Sequence, residues 1–134
     1  MTPPTPFAVS PASPHALVAD DDEDMRLLIA NAFRRAGFQV HEAANGKELL
    51  ASFAAHATAH TVVVSDIGMP ECDGIQATIA MRKLAPFAPI VLVTAFADPA
   101  IVLQAREAGA DQILHKPLDM AALVQTARSL LTSQ

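Results

Sequence analysis

Residues Val62–Gly74 read VVVSDIGMPECDG. Three β-branched residues run into Ser65 and one acid, Asp66, and behind them follow Gly68, Met69-Pro70 and Asp73-Gly74. A continuous β-branched run is the pattern of a strand buried on both faces. The Gly, Pro and Asp residues after it mark a backbone-permissive loop. A carboxylate at that junction either caps the next helix or is held out to do chemistry.

The flanking sequence supplies the frame. HALVA (15–19) is a short apolar run ending at acids, and FQVHEA (38–43) alternates as a strand does before the Asn45-Gly46 turn signal. IVLV (90–93) and QILH (112–115) are two further strands. Between them, Asp24–Ala36, Lys47–Ala57, Ile75–Ala85, Asp98–Ala108 and Asp119–Leu131 carry apolar residues at helical spacing. Gly37 and Gly109 are placed to follow helix ends, with Asp98 as N-cap and Pro99 at the first helical position. Strict alternation of strand and helix, joined by short loops, predicts an α/β fold: a doubly wound five-stranded parallel sheet with five helices. Residues 1–14 carry prolines at 3, 4, 6, 11 and 14 and read as a Pro-rich disordered tail or linker, leaving 15–133 as the domain.

Composition narrows the function. The 134 residues form one domain with room for a core, and no apolar window approaches the ~20 residues of a membrane span. Cys72 is alone, so no internal disulfide framework exists, which fits a reducing cytoplasm. A net charge of −5 without a Lys/Arg cluster argues against nucleic-acid binding by this domain.

Ligands of an open parallel sheet gather at the carboxyl ends of the strands. There the chain offers Asp20, Asp21 and Asp22 after the first strand, Asp66 after the third, Thr94 after the fourth and Lys116 after the fifth. Crowded carboxylates hold a proton or bind a cation, and hard oxygen donors on loops suit Mg²⁺. The acids after the first strand also exclude a dinucleotide or flavin site, which needs a glycine-rich phosphate loop there. Thr94 and Lys116 suit the oxygens of a transferring phosphoryl group. Asp66, the acid opposite both, is the candidate nucleophile for an aspartyl phosphate.

LVADD, VVVSDIGMPECDG, VLVTA and HKP, in this order and spacing, resemble the receiver domain of two-component response regulators, the CheY-like superfamily, over roughly residues 15–131. The resemblance implies a flavodoxin-like strand order 2-1-3-4-5 and phosphoryl transfer to Asp66 from a histidine kinase, a phosphotransfer protein or a small phosphodonor. It implies Mg²⁺ held directly by Asp21 and Asp66, through water by Asp20, and by the backbone carbonyl of Gly68. Thr94 would swing towards the phosphoryl group, Lys116 would pair with it, and the Lys116-Pro117 bond would be cis. It also implies a switch rather than an enzyme, with only self-phosphorylation and self-dephosphorylation, acting by contact with a downstream protein. Two positions depart from the family pattern. Ile113 stands where an aromatic partner of the threonine is usual, so Phe96 either takes part of that role or shields the phosphoryl group. Gly68 offers no side chain beside the phosphoryl site.

Plainer roles suit several residues. Asp22, Glu23 and Asp24 read as helix N-terminal acids, and Asp73-Gly74 as a turn and cap. His56 and His60 are four apart but lack a third ligand, so they read as surface histidines, and His115 as a partly buried strand residue. The apolar run Ala100–Leu103 exceeds one buried stripe, which suggests a homodimer or partner surface on the fourth to fifth helices. Val102→Arg or Leu103→Arg with normal partner binding would contradict that. With no output module expected after the fifth helix, a free-standing regulator and a receiver from a larger protein both remain open. Two other classes are a haloacid-dehalogenase-type phosphatase with Asp20 as nucleophile, and a pseudo-receiver that is no longer phosphorylated. Asp24 stands where the phosphatase pattern has Thr or Val.

Overall fold

The computed structural model describes residues 13–96 and 98–133. Residues 1–12 of the expected Pro-rich tail lie outside the described residues. The elements run β1 (His15–Ala19), α1 (Glu23–Arg35), β2 (Gln39–Ala43), α2 (Gly46–His56), β3 (Thr61–Asp66), α3 (Gly74–Leu84), β4 (Ile90–Thr94), α4 (Pro99–Ala108), β5 (Gln112–His115) and α5 (Met120–Thr132). All neighbouring strands pair in parallel, in the order β2-β1-β3-β4-β5.

The period-2 alternation of side chains divides the three central strands between two cores. Ala16, Val18, Val62, Val64, Val91 and Val93 pack with Ile29 and Phe33 of α1 and Leu123 and Ala127 of α5. Leu17, Ala19, Val63, Ile90 and Leu92 face the other way, onto Leu49 and Phe53 of α2, Ala77 and Met81 of α3, and Ala105 of α4. Both faces are therefore covered, which is why these strands read as continuous apolar runs.

The helix boundaries follow from side-chain capping. Asp22, Asn45, Asp73, Asp98 and Asp119 are the N-caps, each accepting a backbone N–H of the first turn through its side chain. At α3 a reciprocal pair forms: Gln76 N–H donates to Asp73, and the Gln76 side chain accepts from Asp73 N–H. Capping by Asn45 and Asp73 makes Gly46 and Gly74 the first helical residues, one position earlier than the periodicity predicts. Both sit where a side chain has no room, against the Cys72 and Asp66 carbonyls respectively. Gly37 and Gly109 take the left-handed conformation at φ 94° and 110°, ending α1 and α4.

The sheet order reverses between β1 and β3. β1 passes to β2 on one side, and β3 then lies against β1 on the other. The crevice outside their carboxyl ends is where an open α/β sheet binds ligands.

Candidate functional site

Asp20 and Asp21 follow β1, and Asp66 closes β3. Ladder hydrogen bonds carry the sheet's precision to this rim. Asp20 N–H donates to the Ala43 carbonyl at 3.1 Å, Ile67 N–H to Val93 at 2.9 Å and Lys116 N–H to Thr94 at 2.8 Å. Carboxylate oxygens of Asp20, Asp21 and Asp66 come within 4.8 Å of one another. Lys116 Nζ lies between two of them, 3.2 Å from Asp20 Oδ2 and 3.2 Å from Asp66 Oδ2. The remaining oxygens are partly engaged: Asp20 Oδ1 accepts Asp22 N–H at 2.9 Å, and Asp66 Oδ1 accepts Gly68 N–H at 3.3 Å.

Burial and charge act together here. Burial pushes the Asp20 carboxyl above the usual range, and Asp66 adds to this against the opposing pull of the Asp22 N–H and Lys116. Burial alone would lower Lys116, but the Asp66 and Asp20 carboxylates outweigh it and hold its ammonium protonated. Three carboxylates face a single ammonium in this pocket, so acidic oxygens outnumber the cation they surround. Its donors are all hard oxygens, and Asp21 is exposed, so water can complete a coordination shell. That donor set fits Mg²⁺, which takes one or two carboxylates and keeps several waters.

Thr94 is buried at the end of β4, with its hydroxyl engaged in the following loop. Its Oγ1 accepts Phe96 N–H at 3.0 Å and lies 3.2 Å from the Phe96 carbonyl. The Phe96 ring itself is 73% exposed. Ile113 is half-buried and packs on the core beneath α4, as Ile101 of that helix does. The Lys116-Pro117 peptide is cis. Gly68 is exposed, and a Cβ there would meet nothing within 4 Å.

Sequence reasoning missed two supports. Arg26 of α1 donates from Nη1 to the Asp20 carbonyl at 3.0 Å while its Nε pairs with Glu42, fixing the rim's backbone from outside. Ser65 donates its hydroxyl to the Asp66 carbonyl at 2.9 Å. A basic residue in the first turn after the acids was the only sequence signal for the first, and it is weak. Asp22 and Asp73 serve as caps, and His56, His60 and His115 are exposed. An open groove of about 690 Å³ lies at the opposite end of the sheet, walled by Phe53, Leu84, Phe87 and Pro89. It is remote from the acids and holds no charged residue, so the chemistry belongs to the shallow acidic rim instead.

Comparison with known proteins bears on this geometry. The family model described as response regulator receiver domain matches residues 16–128. The chain is 38% identical over 108 residues to the regulatory protein AtoC of Escherichia coli, covering 80% of this chain and 23% of that protein. It is 35% identical over 120 residues to the transcriptional regulatory protein PrrA of Mycobacterium leprae, covering 90% of this chain and 51% of that protein. The chain thus spans about a quarter to a half of the length of these relatives. The chemotaxis protein CheY of Thermotoga maritima is 33% identical over 110 residues, covering 81% of this chain and 90% of that one. The receiver domain of the Francisella response regulator 1452 superposes with a TM-score of 0.81 at 28% identity, covering 90% of this chain and 98% of that one. The matched region holds every strand but the first residue of β1, and all of the acidic rim. The chain belongs to the response regulator receiver domain family of two-component signalling.

Proposed function

We propose that this receiver is a phosphoacceptor switch whose acceptor is Asp66. The reading rests on one observation above all: Asp66 ends the central strand at the sheet's reversal, with Asp20 and Asp21 oxygens within 4.8 Å and Lys116 Nζ at 3.2 Å. Receiver domains interact with histidine kinases and downstream effectors, and they bind Mg²⁺ at an acidic pocket.

An Asp66 carboxylate oxygen attacks the phosphorus of a phosphohistidine or of a small acyl phosphate. The new O–P bond forms as the bond to the leaving nitrogen or oxygen breaks, and the leaving group keeps the electron pair. Asp21 and Asp66 directly, Asp20 through water and the Gly68 carbonyl are the groups that would hold Mg²⁺, which when bound offsets charge on a phosphoryl oxygen. Lys116 exchanges its Asp66 contact for a phosphoryl oxygen once the carboxylate is esterified. Thr94 gives up the Phe96 backbone and turns its hydroxyl to another phosphoryl oxygen. With Ile113 packed against the core in place of an aromatic ring, this movement passes to the exposed Phe96 and on towards α4. Pro117 follows Lys116 directly, so a shift of the ammonium is felt at the start of the β5–α5 connection.

Any catalysis is confined to taking up and losing this one phosphoryl group. The signal then passes to a partner protein or a second copy through the α4 to α5 face, where Leu103 is 57% exposed. Relatives of this receiver include both a short protein that it covers almost entirely and a longer regulator of which it covers about a quarter. Among the described residues no helix is long and apolar enough to cross a membrane. A phosphatase reading with Asp20 as nucleophile is disfavoured: Asp20 is 1% exposed and tied to Lys116 and to Asp22 N–H.

Intact-mass spectrometry after incubation with acetyl phosphate tests the proposal. One Mg²⁺-dependent phosphoryl adduct, absent from Asp66→Asn, is expected. No adduct in the wild type together with no beryllofluoride binding would mark a pseudo-receiver.

A further inference from the structure

The groove at the amino ends of the strands, on the pole away from the acidic rim, takes no part in the phosphoryl chemistry. It runs between the α2–β3 and α3–β4 connections and has a volume of about 690 Å³. Phe53, Leu84, Phe87 and Pro89 form its apolar walls, and none of its lining residues is charged. Leu84, the last residue of α3, is 69% exposed. Polar groups on the edge are satisfied locally: Thr61 Oγ1 accepts Thr58 N–H at 2.8 Å, and Thr58 Oγ1 accepts His60 N–H at 3.1 Å. A ligand for this surface therefore needs apolar contact and no charge of its own.

We propose that the groove is the docking site of the chain's own amino-terminal segment, residues 3–9, PPTPFAV. That segment enters the fold at the same pole. The Pro14 carbonyl accepts Gln39 N–H at 2.9 Å, and His15 N–H donates to the His60 carbonyl at 2.8 Å. His15 is the register partner of Thr61, which lines the groove, so the entry point lies about one strand spacing, ~4.8 Å, from the groove wall. The groove opens beneath β3 and β4, one and two strands away from β1. An extended proline-rich chain advances ~3.1 Å per residue, so the stretch from Phe7 to Pro14 spans up to about 22 Å and crosses that distance with length to spare.

Composition matches as well as reach. Residues 1–14 contain no Asp, Glu, Lys or Arg, although these make up 17% of the chain, so docking leaves no charge buried in the uncharged groove. Proline-rich segments suit aromatic-walled grooves because their extended form is already set and little freedom is lost on binding. Phe7 is the segment's single aromatic residue, and its ring is the anchor beside Leu84 and Phe87. Tethering decides between this occupant and a second copy. A short linker presents the segment at roughly millimolar effective concentration, which a dilute second chain does not match. The docked segment ties the start of β1 to the connections entering β3 and β4 and leaves Asp66 open at the opposite pole.

Nuclear magnetic resonance of the full 134-residue chain tests this. Nuclear Overhauser contacts from the Phe7 ring to the Leu84 methyls are expected. Phe7→Ser should shift the methyl resonances of Ala54, Leu84 and Ala88, which line the groove, and leave those of Ala121 and Val124 on α5 in place. Ala54 is an exposed helical position on the groove wall, so Ala54→Arg should keep the amide spectrum dispersed while abolishing the Phe7 contacts. Tenfold dilution should change nothing. Absence of the contacts in the wild type overturns the proposal, as does their survival in Ala54→Arg or groove methyls unmoved by Phe7→Ser. Contacts that vanish on dilution, or that run between labelled and unlabelled chains in a mixed sample, assign the groove to a second copy and overturn it equally.

Discussion

Replacing Lys116 by methionine removes the ammonium that pairs with Asp20 and Asp66 while keeping most of the side chain's apolar stem. Lys116 Nζ is 3.2 Å from both Asp20 Oδ2 and Asp66 Oδ2, and the three side chains are 18%, 1% and 13% exposed. Solvent screening is therefore weak at this pair of contacts. Taking away one partner of a buried ion pair costs ~3–5 kcal/mol, because the other charge stays buried without compensation. Asp20 can respond by taking a proton, since burial already pushes its carboxyl upward, and this caps the loss. A destabilisation of about 3 kcal/mol at neutral pH in EDTA is expected, at the lower end of that range. Urea unfolding with a slope of ~1–3 kcal/mol/M would then show the midpoint lowered by roughly 1–3 M. Saturating Mg²⁺ should recover more than half of the loss, because a divalent ion on the same carboxylates replaces the missing charge. A Lys116→Met protein as stable as the wild type in EDTA would refute the reasoning. A loss that Mg²⁺ leaves unchanged would refute it equally.

Other expectations are simpler. Leu92 is fully buried in the core beneath α2 to α4, and Leu92→Ala should cost ~2–5 kcal/mol in urea unfolding; a smaller loss would mean that the core collapses around the gap. Gly46→Ala drives a Cβ onto the Cys72 carbonyl and should cost about 1–3 kcal/mol, whereas Gly68→Ala, with nothing within 4 Å, should leave the melting temperature within experimental error. His41 has its proton affinity lowered from an ordinary value of 6.5, so the unfolded chain takes up the proton first and stability falls as pH drops below that value. Thermal melting from about pH 7.5 to about pH 5.5 should therefore fall less steeply for His41→Gln than for the wild type. Equal slopes would contradict the assignment.

The alternation of elements was legible because it rests on residue-level physics. The valine run Val62–Val64 is buried on both faces, and α1 and α4 are followed by Gly37 and Gly109 in left-handed conformations. The boundaries shifted by about one residue because side-chain caps, not periodicity, decide where a helix begins: Asn45 and Asp73 draw Gly46 and Gly74 inside. The acidic rim was legible for a topological reason, since strand ends of a parallel sheet converge whatever their separation in sequence. Side-chain engagement was not legible. Nothing in VLVTAF indicates that the Thr94 hydroxyl is held by the Phe96 backbone, or that the Phe96 ring stands in solvent. The histidines show the same limit more sharply. His56 and His60 are four apart in sequence, yet the contacts made are from His56 to His41 and from His41 to His15, across three elements.

The most direct test of the central claim is to localise the phosphoryl group. The phosphorylated chain is reduced with borohydride, which converts an aspartyl phosphate to homoserine, then digested and sequenced by tandem mass spectrometry. Conversion at Asp66, dependent on Mg²⁺ and on the phosphodonor, is the expected result. Conversion at Asp20 or Asp21, or phosphate retained on a histidine or serine, would contradict it.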